Sequence, residues 1–579
     1  MVEKESKKGI FSKTIKVVLI LIIIAVLCIG GIFGAINLLL TDHDNGAMNI
    51  VINFTNVTGK TKHEVLVEND IVYFSLDDID IYYDCNIYYD ENYNQIVTSS
   101  EDKVAVFKLG ENAVEINGVK KNIKGPAKLE NKTYYLPISE MEDVYNIKVK
   151  KVNNNITLES LDRKSIKGTI TKKVNLKSKA KYLSKNIEKL SSGSVVRIAE
   201  VDGNSLPDGW LKIRTENGKL GYIQKKYVNN ITVEREAQTK EKLIDGKISL
   251  VWDYFSEYAK APDNTGKKYD GVNVVSPSFF YLGLRDMQKP GAVQIDIKEQ
   301  ARVKENVGDS GEAYIKWAKE NGYKIWPKFS NETLESTIDE FSTIINDYEL
   351  RKIMINDIVS YVEKYNLDGI NLDFEYMYKN DKDSFSKFVI ELAPRLRAIN
   401  ACLSVDVTAP DGGDNWSLCY DRKTIADAAD YIVFMGYDQY GAYTVGTTSG
   451  YSWVENSIAK MLKDNIPSEK IILGLPFYTK LWKTKDGKRV DNPTTVGIKD
   501  INNAVLSGVN KEWLEDLQQN YIQYERGGYL YKLWIEDEQS FEKKLLIVNE
   551  HDLAGAAYWR KGFESASVWE IVKNVLELN

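Results

Sequence analysis

Residues 368–376 read Asp-Gly-Ile-Asn-Leu-Asp-Phe-Glu-Tyr, and this stretch indicates the fold of the largest part of the chain. The preceding residues, 353–365, have helical character, and Asp-Gly then ends the helix and opens an apolar run typical of a strand. Because alternate residues of a strand share a face, Asn371, Asp373 and Glu375 would lie on one side and three apolar side chains on the other. The pattern predicts a strand with two carboxylates and an amide on one face.

Two kinds of sheet fit this pattern. One is an antiparallel sheet with one solvated face, which would leave the polar side chains in water. Strand-like and helical runs alternate on both sides of the stretch, however, and this favours a parallel sheet that is buried on both faces. Burial of an unpaired charge is costly, so two carboxylates inside such a sheet favour acid/base chemistry.

Eight strand-like runs, with helical segments between them, lie between Lys247 and the C terminus. This repetition over about 333 residues predicts an α/β fold of the TIM (β/α)8 barrel type with insertions. An open doubly wound sheet is the alternative, but the glycine-rich loop expected after its first strand is absent. The predicted strands are residues 248–254, 272–279, 323–329, 369–375, 402–408, 431–437, 471–477 and 553–559.

The carboxylates of the opening stretch also carry a family resemblance. Asp368, Asn371, Asp373 and Glu375 form the pattern Asp-x-x-Asn-x-Asp-x-Glu. It resembles the Asp-x-x-Asp-x-Asp-x-Glu signature of glycoside hydrolase family 18, which includes chitinases and peptidoglycan N-acetylglucosaminidases. The resemblance covers residues 247–579.

Two further motifs of that family fall at the ends of predicted strands. Met435-Gly436-Tyr437-Asp438 is similar to the family's Met-x-Tyr-Asp, and Trp559 stands where the family keeps a Trp under the scissile sugar. Catalytic groups of TIM barrels lie at the C-terminal ends of strands, which agrees with this placement.

The resemblance implies substrate-assisted catalysis, an exception among glycosidases. Glu375 would protonate the departing glycosidic oxygen, and the sugar's own acetamide oxygen would attack the anomeric carbon to form an oxazolinium ion. Asp373 would accept a hydrogen bond from the acetamide N–H, and Tyr437 would hold the acetamide oxygen in line. Asp368, Asn371, Met435 and Asp438 would support these groups, and Glu375 would activate the water that opens the ring with retention.

Asn371 departs from the family signature, which has Asp at this position. Two adjacent Asp residues repel each other, and one of their pKa values rises. We expect Asn371 to remove that repulsion while donating a hydrogen bond to Asp373, so activity survives with an altered pH profile.

About 75 residues separate the last two predicted strands and predict a small inserted α+β subdomain that forms one wall of the cleft. Trp534 and Trp482 are candidates for stacking on a sugar there, and packing inside the subdomain is the alternative for each. Residues 274–280, 415–422 and 473–478 resemble spore-cortex and wall-associated members of the family more than secreted chitinases.

The N-terminal part contains an apolar segment. Residues 1–16 include five lysines, and residues 17–40 form an uncharged apolar run of about 24 residues, long enough to cross a bilayer core of about 30 Å. The lysines before it place a cytoplasmic tail at 1–16, a transmembrane helix at 17–40 and the rest outside the cell. A cleaved signal peptide is the alternative, but its apolar core would be shorter.

Two small domains and a linker are predicted before the barrel. Residues 48–160 contain a weak repeat, and each copy reads as strand, short helix, strand and strand. The segment resembles the N-terminal domain of copper amine oxidases. We expect it to act as a spacer or as a wall-binding stalk. Residues 165–233 read as a small β barrel and resemble a bacterial SH3 domain. This resemblance implies contact with peptidoglycan through Trp210 and Tyr222, and core packing is the alternative for both. Residues 234–246 read as a polar linker.

The composition narrows the function further. The net charge of -7 makes nucleic acid an unexpected partner, and three His and four scattered Cys give neither a His-rich metal site nor a disulfide framework. We expect no metal or cofactor. The leading hypothesis is a membrane-anchored hydrolase that cleaves β-1,4 bonds after N-acetylglucosamine in peptidoglycan or a related wall glycan. A chitinase and a catalytically weak glycan-binding protein are the alternatives.

Overall fold

The computed structural model describes residues 48–578 except 201–206, 208, 239–242, 257, 283–296, 332–337 and 506–507. The predicted tail and transmembrane helix, 1–16 and 17–40, therefore lie outside the described residues, as does part of the predicted linker. Within the described part, none of the helices is both long and apolar enough to cross a membrane. The chain forms two compact units, one drawn from residues 48–83, 109–113 and 122–240 and the other from 84–108, 114–121 and 241–578.

The second unit contains a closed barrel of eight parallel strands, as predicted. Each strand pairs with its neighbour in chain order, and the last pairs with both the first and the seventh, which closes the ring. The strands are β1 (Ile248–Asp253), β2 (Val274–Pro277 and Phe280–Leu282), β3 (Lys324–Ile325 and Lys328–Ser330), β4 (Gly369–Asp373), β5 (Cys402–Val407), β6 (Tyr431–Met435), β7 (Ile471–Pro476) and β8 (Gly555–Trp559).

The second and third strands are each split into two parts. Pro327 interrupts β3, because proline has no backbone N–H to add to a ladder. The first parts of β2 and β3 pair with each other, and so do the second parts. The ring thus stays continuous although both strands bend.

Helices surround the barrel and cover its apolar outer face. Side chains from the strands and helices share one large core, in which Ile370, Leu372 and Phe374 are fully buried. The longer helices are Gly308–Glu320, Ile338–Asn346, Tyr348–Tyr365, Lys382–Arg397, Arg422–Ala428, Tyr451–Lys463, Glu538–Leu545 and Ala566–Val575, and the short ones are Ile297–Gln300 and Ile547–Glu550. A further short helix, Ile501–Ala504, belongs to the insertion between β7 and β8.

The helix before β4, Tyr348–Tyr365, begins five residues earlier than its apolar periodicity predicts. Asp347 is its N-cap and accepts a hydrogen bond from the backbone N–H of Leu350 at 3.0 Å. Asn366 ends it in the left-handed conformation at φ 48°. These two caps set the point at which the chain enters β4.

The predicted insertion between β7 and β8 is an antiparallel sheet with one short helix. A buried ion pair joins it to the barrel, because the ammonium of Lys544 contacts both carboxylate oxygens of Glu536 and donates to the carbonyl of Ser449. The insertion's strands are Tyr478–Lys485, Lys488–Arg489, Thr494–Gly497, Glu512–Leu514, Gln519–Arg526 and Tyr529–Ile535.

A five-stranded antiparallel sheet from the N-terminal region also belongs to the barrel unit. It packs on helices Tyr348–Tyr365 and Lys382–Arg397 through Val97, Val104 and Val106, which cluster with Tyr348. Its strands are Tyr88–Asp90, Gln95–Ser99, Val104–Lys108, Ala113–Ile116 and Val119–Asn122. The compact units therefore divide the repeat segment 48–160 between them.

The first unit holds the remainder of the repeat and a seven-stranded sheet. In the repeat, strand Ile71–Ser75 leads into helix Leu76–Tyr82, and strand Thr133–Pro137 leads into helical turns Ile138–Glu140 and Glu142–Tyr145, as the repeat pattern predicts. The other strands there are Asn49–Ile52, Thr55–Asn56, Leu66–Glu68, Lys128–Glu130, Ile147–Val152 and Asn155–Ser160. The seven-stranded sheet comprises Ser165–Ile170, Val174–Lys177, Asn186–Leu190, Val195–Ile198, Trp210–Thr215, Leu220–Gln224 and Val228–Arg235.

Candidate active site

Strand β4 separates its side chains as the alternation predicts. Ile370 and Leu372 lie in the core under the helices, whereas Asn371 and Asp373 bond to residues of the neighbouring barrel strands. Asn371 is fully buried and Asp373 is 4% exposed. The polar face of β4 is therefore the inside of the barrel, where water is largely excluded.

Glu375 lies two residues beyond the end of β4, not within the strand, and is partly exposed at the barrel mouth. Asn331 holds its backbone from both sides: Glu375 N donates to Asn331 Oδ1, and Asn331 Nδ2 donates to the Glu375 carbonyl, both at 2.9 Å. The hydroxyl of Tyr420 donates to the carbonyl of Phe374 at 2.7 Å. The carboxyl group is thus carried on a fixed backbone next to solvent, as a proton donor to substrate requires.

An aromatic cluster anchors the same end of β4 on the outer side of the barrel. The ring of Phe374 lies 5.0–5.8 Å from four other phenylalanine rings and is fully buried. These rings are Phe329, Phe341, Phe385 and Phe388. Such packing fixes the point at which the chain turns from β4 into the segment of Glu375.

Asp373 has one paired and one unpaired oxygen. Its Oδ2 lies 2.6 Å from the ammonium nitrogen of Lys328 on β3, and both side chains are at most 10% exposed. Its Oδ1 is buried and has no hydrogen-bond partner among the described residues. A buried acceptor without a partner is uncommon and fits a role in accepting a substrate N–H.

Asn371 does not donate to Asp373, so that expectation is wrong. Its Nδ2 donates to Asp406 Oδ1 at 2.7 Å and to Ser404 Oγ at 3.1 Å, both on β5. Its Oδ1 accepts from the indole N–H of Trp252 at 2.7 Å. The amide nitrogen is turned toward β5, where it donates twice, and the amide oxygen is turned toward Trp252 on β1.

Asp406 is a site residue that the family signature does not include. It is 2% exposed, and its pKa is raised well above the usual range by burial and then by the charge of Asp373. Alternation along residues 402–408 places Ser404 and Asp406 on one face, and this signal could have identified the residue from sequence. The same reasoning applied to β3 would have identified Lys328.

Tyr437 lies two residues beyond β6 and faces these carboxyl groups. Burial, followed by the charges of Asp406 and Asp373, raises the pKa of its hydroxyl well above the usual range, so it stays a neutral donor. Met435, the last residue of β6, is buried. Tyr437 therefore has the protonation state that a hydrogen bond to an acetamide oxygen needs.

Trp252 on β1 joins these groups to Trp559 on β8. Its ring centroid lies 6.4 Å from that of Tyr437 and 5.8 Å from that of Trp559, and its indole N–H bonds to Asn371. Trp559 is partly exposed and also lies 5.8 Å from the ring of Tyr254. The structure thus brings Asn371, Tyr437 and Trp559 around one buried indole that the motif matches do not include.

Asp438 is held by the insertion. Its Oδ1 accepts from the hydroxyl of Tyr478 and lies 2.6 Å from the ammonium of Lys480, and its backbone adopts a left-handed φ of 57°. This carboxylate therefore ties the segment after β6 to the first strand of the insertion.

Asp368 is not near the site, which corrects its predicted supporting role. It precedes β4 at the opposite end of the barrel, where it lies 2.9 Å from the ammonium of Lys324 and accepts from the backbone N–H of Ile325. Residues at this end of a TIM barrel contribute to stability. Asp368 thus fixes β4 against β3.

The two tryptophans of the insertion differ. Trp482 is fully buried and donates its indole N–H to the carbonyl of Gly446 at 2.8 Å, so it cannot stack on a sugar and that prediction is wrong. Trp534 is partly exposed, with its ring 4.9 Å from that of Tyr521. Trp534 remains a candidate for substrate contact.

Comparison with known families matches the domains in the order predicted. A sequence profile described as glycosyl hydrolases family 18 matches residues 251–563, more than half of the chain. The bacterial SH3 domain profile matches residues 172–229, and the copper amine oxidase N-terminal domain profile matches residues 51–160. All three predicted resemblances are confirmed.

Individual relatives are distant. An uncharacterized glycosylase, YvbX, of Bacillus subtilis (strain 168) is 25% identical over 282 residues, 46% of this chain and 79% of the relative. The cortical fragment-lytic enzyme of the same organism is 23% identical over 250 residues, which span 41% of this chain and little more than half, 56%, of that enzyme. A solved chitinase from Chromobacterium violaceum ATCC 12472 is 21% identical, covers 57% of this chain and 99% of its own, and has a TM-score of 0.48.

Proposed function

Because the chain belongs to glycosyl hydrolase family 18, we propose that it cleaves β-1,4 bonds after N-acetylglucosamine in peptidoglycan or a related wall glycan. The arrangement that carries this proposal is Asp373 beside Glu375. One oxygen of Asp373 is held by Lys328, and the other is a buried acceptor for the acetamide N–H. The similarity to cortical fragment-lytic enzymes supports a wall glycan as the polymer.

The proposed reaction uses the substrate's own acetamide as the nucleophile. Glu375 protonates the leaving oxygen, and Asp373 accepts from the acetamide N–H and offsets the positive charge of the oxazolinium ion. The neutral hydroxyl of Tyr437 orients the acetamide oxygen, and Trp559 underlies the sugar. A thiazoline analogue of N-acetylglucosamine should therefore inhibit competitively, since it imitates that ion.

Digestion of two polymers tests the proposal. Purified peptidoglycan and chitin oligomers are each incubated with the full-length protein, and the products are identified by mass spectrometry. New reducing-end N-acetylglucosamine from peptidoglycan supports the proposed function. Products from chitin alone would make the protein a chitinase, and products from neither polymer would favour a glycan-binding role.

We also propose that residues 17–40 anchor the protein in the cell membrane with its C-terminal domains outside. The observation behind this is the uncharged apolar run after a lysine-rich tail. Membrane fractionation of cells, followed by protease treatment of intact protoplasts, tests it. The protein should be found in the membrane fraction and be cut from outside, whereas a soluble product beginning near residue 41 would show signal cleavage.

The SH3 domain is proposed to contact the wall. Residues 165–233 carry fourteen Lys and Arg against five Asp and Glu in a chain whose net charge is -7. Tyr182 is 67% exposed, and its ring meets that of Trp210 edge-on at 5.7 Å. Sedimentation with insoluble peptidoglycan should weaken in Tyr182→Ser, and unchanged sedimentation would leave this domain as a spacer.

A further inference from the structure

The barrel interior contains a second carboxyl group beside Asp373. β3, β4 and β5 pair in register, with Ser330 opposite Asp373 and Asn371 opposite Ser404. Asp406 follows Ser404 by two residues on the same face of β5. Asp406 and Asp373 therefore occupy one layer of the barrel, directly below the mouth at which Glu375 lies.

The charges in this layer do not balance if both carboxyl groups are ionised. The ammonium of Lys328 lies 2.6 Å from Asp373 Oδ2, whereas Asp406 Oδ1 accepts a hydrogen bond from the neutral amide of Asn371 at 2.7 Å. Two buried negative charges on one cation would leave a net charge in a low-dielectric space, which is unfavourable. A single proton on Asp406 removes that excess.

We propose that Asp406 is a protonated carboxylic acid in the resting enzyme and, together with Lys328, holds Asp373 as the single ionised carboxylate of this layer. Both are positioning residues that act through Asp373. This inference rests on the proposed function for its kinetic part only. The family signature has a pair of carboxyl groups at positions 371 and 373. In this chain Asp406 on β5 supplies the carboxyl group that residue 371 lacks.

Several groups face Asp406 and bear on its titration. Burial raises the pKa of Asp406, and so does the charge of Asp373, while the amide of Asn371 and the charge of Lys328 lower it. The hydroxyl of Tyr437 faces Asp406 from the segment that follows β6. Because burial and the charge of Asp373 outweigh the other two influences, the pKa of Asp406 lies well above its usual range.

The first test compares an isosteric with an apolar replacement. Asn imitates a protonated carboxyl group in shape and in having both a donor and an acceptor, whereas Leu has neither. The loss of kcat in Asp406→Leu should exceed that in Asp406→Asn by at least about tenfold, and the effect of Asp406→Leu on KM should be smaller than its effect on kcat. Equal losses in both variants would contradict the proposal, because they would show that the ionised form is needed.

The second test needs no hydrolysis, so it separates this inference from the proposed function. A raised folded-state pKa contributes stability that is fully present below the unfolded pKa of about 3.9 and is lost as pH rises through the folded pKa. Asp406→Asn carries no such proton. The melting temperature of Asp406→Asn minus that of the wild type should therefore increase as pH rises from about 4 toward neutral, measured on full-length protein in detergent. A difference that stays constant with pH would overturn the proposal.

The third test concerns Lys328. Lys328→Met removes the cation that keeps Asp373 ionised, so the acidic limb of kcat/KM should move to higher pH. Lys324→Met is the matched control, since Lys324 pairs with Asp368 on the same two strands at the far end of the barrel. An unmoved limb in Lys328→Met, or an equal movement in the control, would contradict the role of Lys328.

Discussion

Asn331 forms two hydrogen bonds with Glu375, one to its backbone N–H and one to its carbonyl, each 2.9 Å long. The side chain of Asn331 is 6% exposed, so water cannot readily replace it. The segment that presents the proposed acid is thus fixed by the residue that directly follows β3. Positioning of this kind contributes strongly to rate, because small displacements of a catalytic group are costly.

Asn331→Ala should lower kcat about tenfold with little change in KM. The substitution removes both bonds and lets Glu375 move away from the leaving oxygen, at a cost of about 1–3 kcal/mol. Steady-state kinetics on a soluble N-acetylglucosamine oligomer measure it. Asn331→Asp keeps the acceptor but loses the donor, so its kcat should lie between those of the wild type and Asn331→Ala. An unchanged kcat in Asn331→Ala would show that the two hydrogen bonds to Glu375 are unimportant for the rate.

Asn371→Asp should destabilise the barrel and move the pH profile. The new carboxyl would lie against Asp406 and would lose the two donated bonds of the amide, which costs roughly 1–3 kcal/mol. Ionisation of either acid becomes harder because the charges repel. Thermal unfolding and the pH dependence of kcat/KM measure both effects, and a variant identical to the wild type in both would contradict the contacts described for Asn371.

The two insertion tryptophans should respond differently to substitution. Trp482→Ala removes a fully buried indole and should cost about 3–5 kcal/mol of stability. Trp534→Ala should leave stability nearly unchanged and raise KM if the residue stacks on a sugar, by an amount worth roughly 0.5–1.5 kcal/mol. Melting temperatures and KM values for both variants decide this, and an unaffected KM in Trp534→Ala would remove it from the substrate contacts.

The N-terminal sheet of the barrel unit is fastened by a buried ionic network. The hydroxyl of Tyr88 donates to Glu391, whose carboxylate also accepts from Arg351, and the Arg351 and Glu391 side chains are 2% and 3% exposed. Arg351→Met leaves the buried carboxylate of Glu391 without its cation and should cost about 3–5 kcal/mol. Arg302→Met is the control: it removes a pair whose arginine is 53% exposed and should cost about 0–1 kcal/mol. Similar melting temperatures for the two variants would contradict this account.

The barrel and the inward placement of Asp373 could be predicted from sequence because both follow from local patterns. Alternation within residues 368–376 places Asp373 inside the barrel, and the repeated strand–helix order predicts the ring. Alternation along the neighbouring strands places Lys328 and Asp406 on inward faces, but it does not show that these side chains meet Asp373. Lys328 and Asp406 come from neighbouring strands, and only the register between strands shows which of their residues meet.

Two other differences between the sequence-based predictions and the structure, at Trp482 and Asp368, also have non-local causes. The burial of Trp482 depends on Gly446, which belongs to the segment after β6 rather than to the insertion. Asp368 shares the signature with Glu375 but lies at the other end of β4, because a motif that spans a whole strand reaches both ends of the barrel. Sequence spacing alone does not distinguish these outcomes.

The central claim is that Glu375 is the acid of a hydrolase acting after N-acetylglucosamine, and Glu375→Gln tests it most directly. The amide keeps the shape of the side chain but cannot donate the carboxyl proton. Mass spectrometry of peptidoglycan digests should show new reducing-end N-acetylglucosamine with the wild type and none with Glu375→Gln, although the variant still sediments with the polymer. Release of the same product by Glu375→Gln at a near-normal rate would contradict the account.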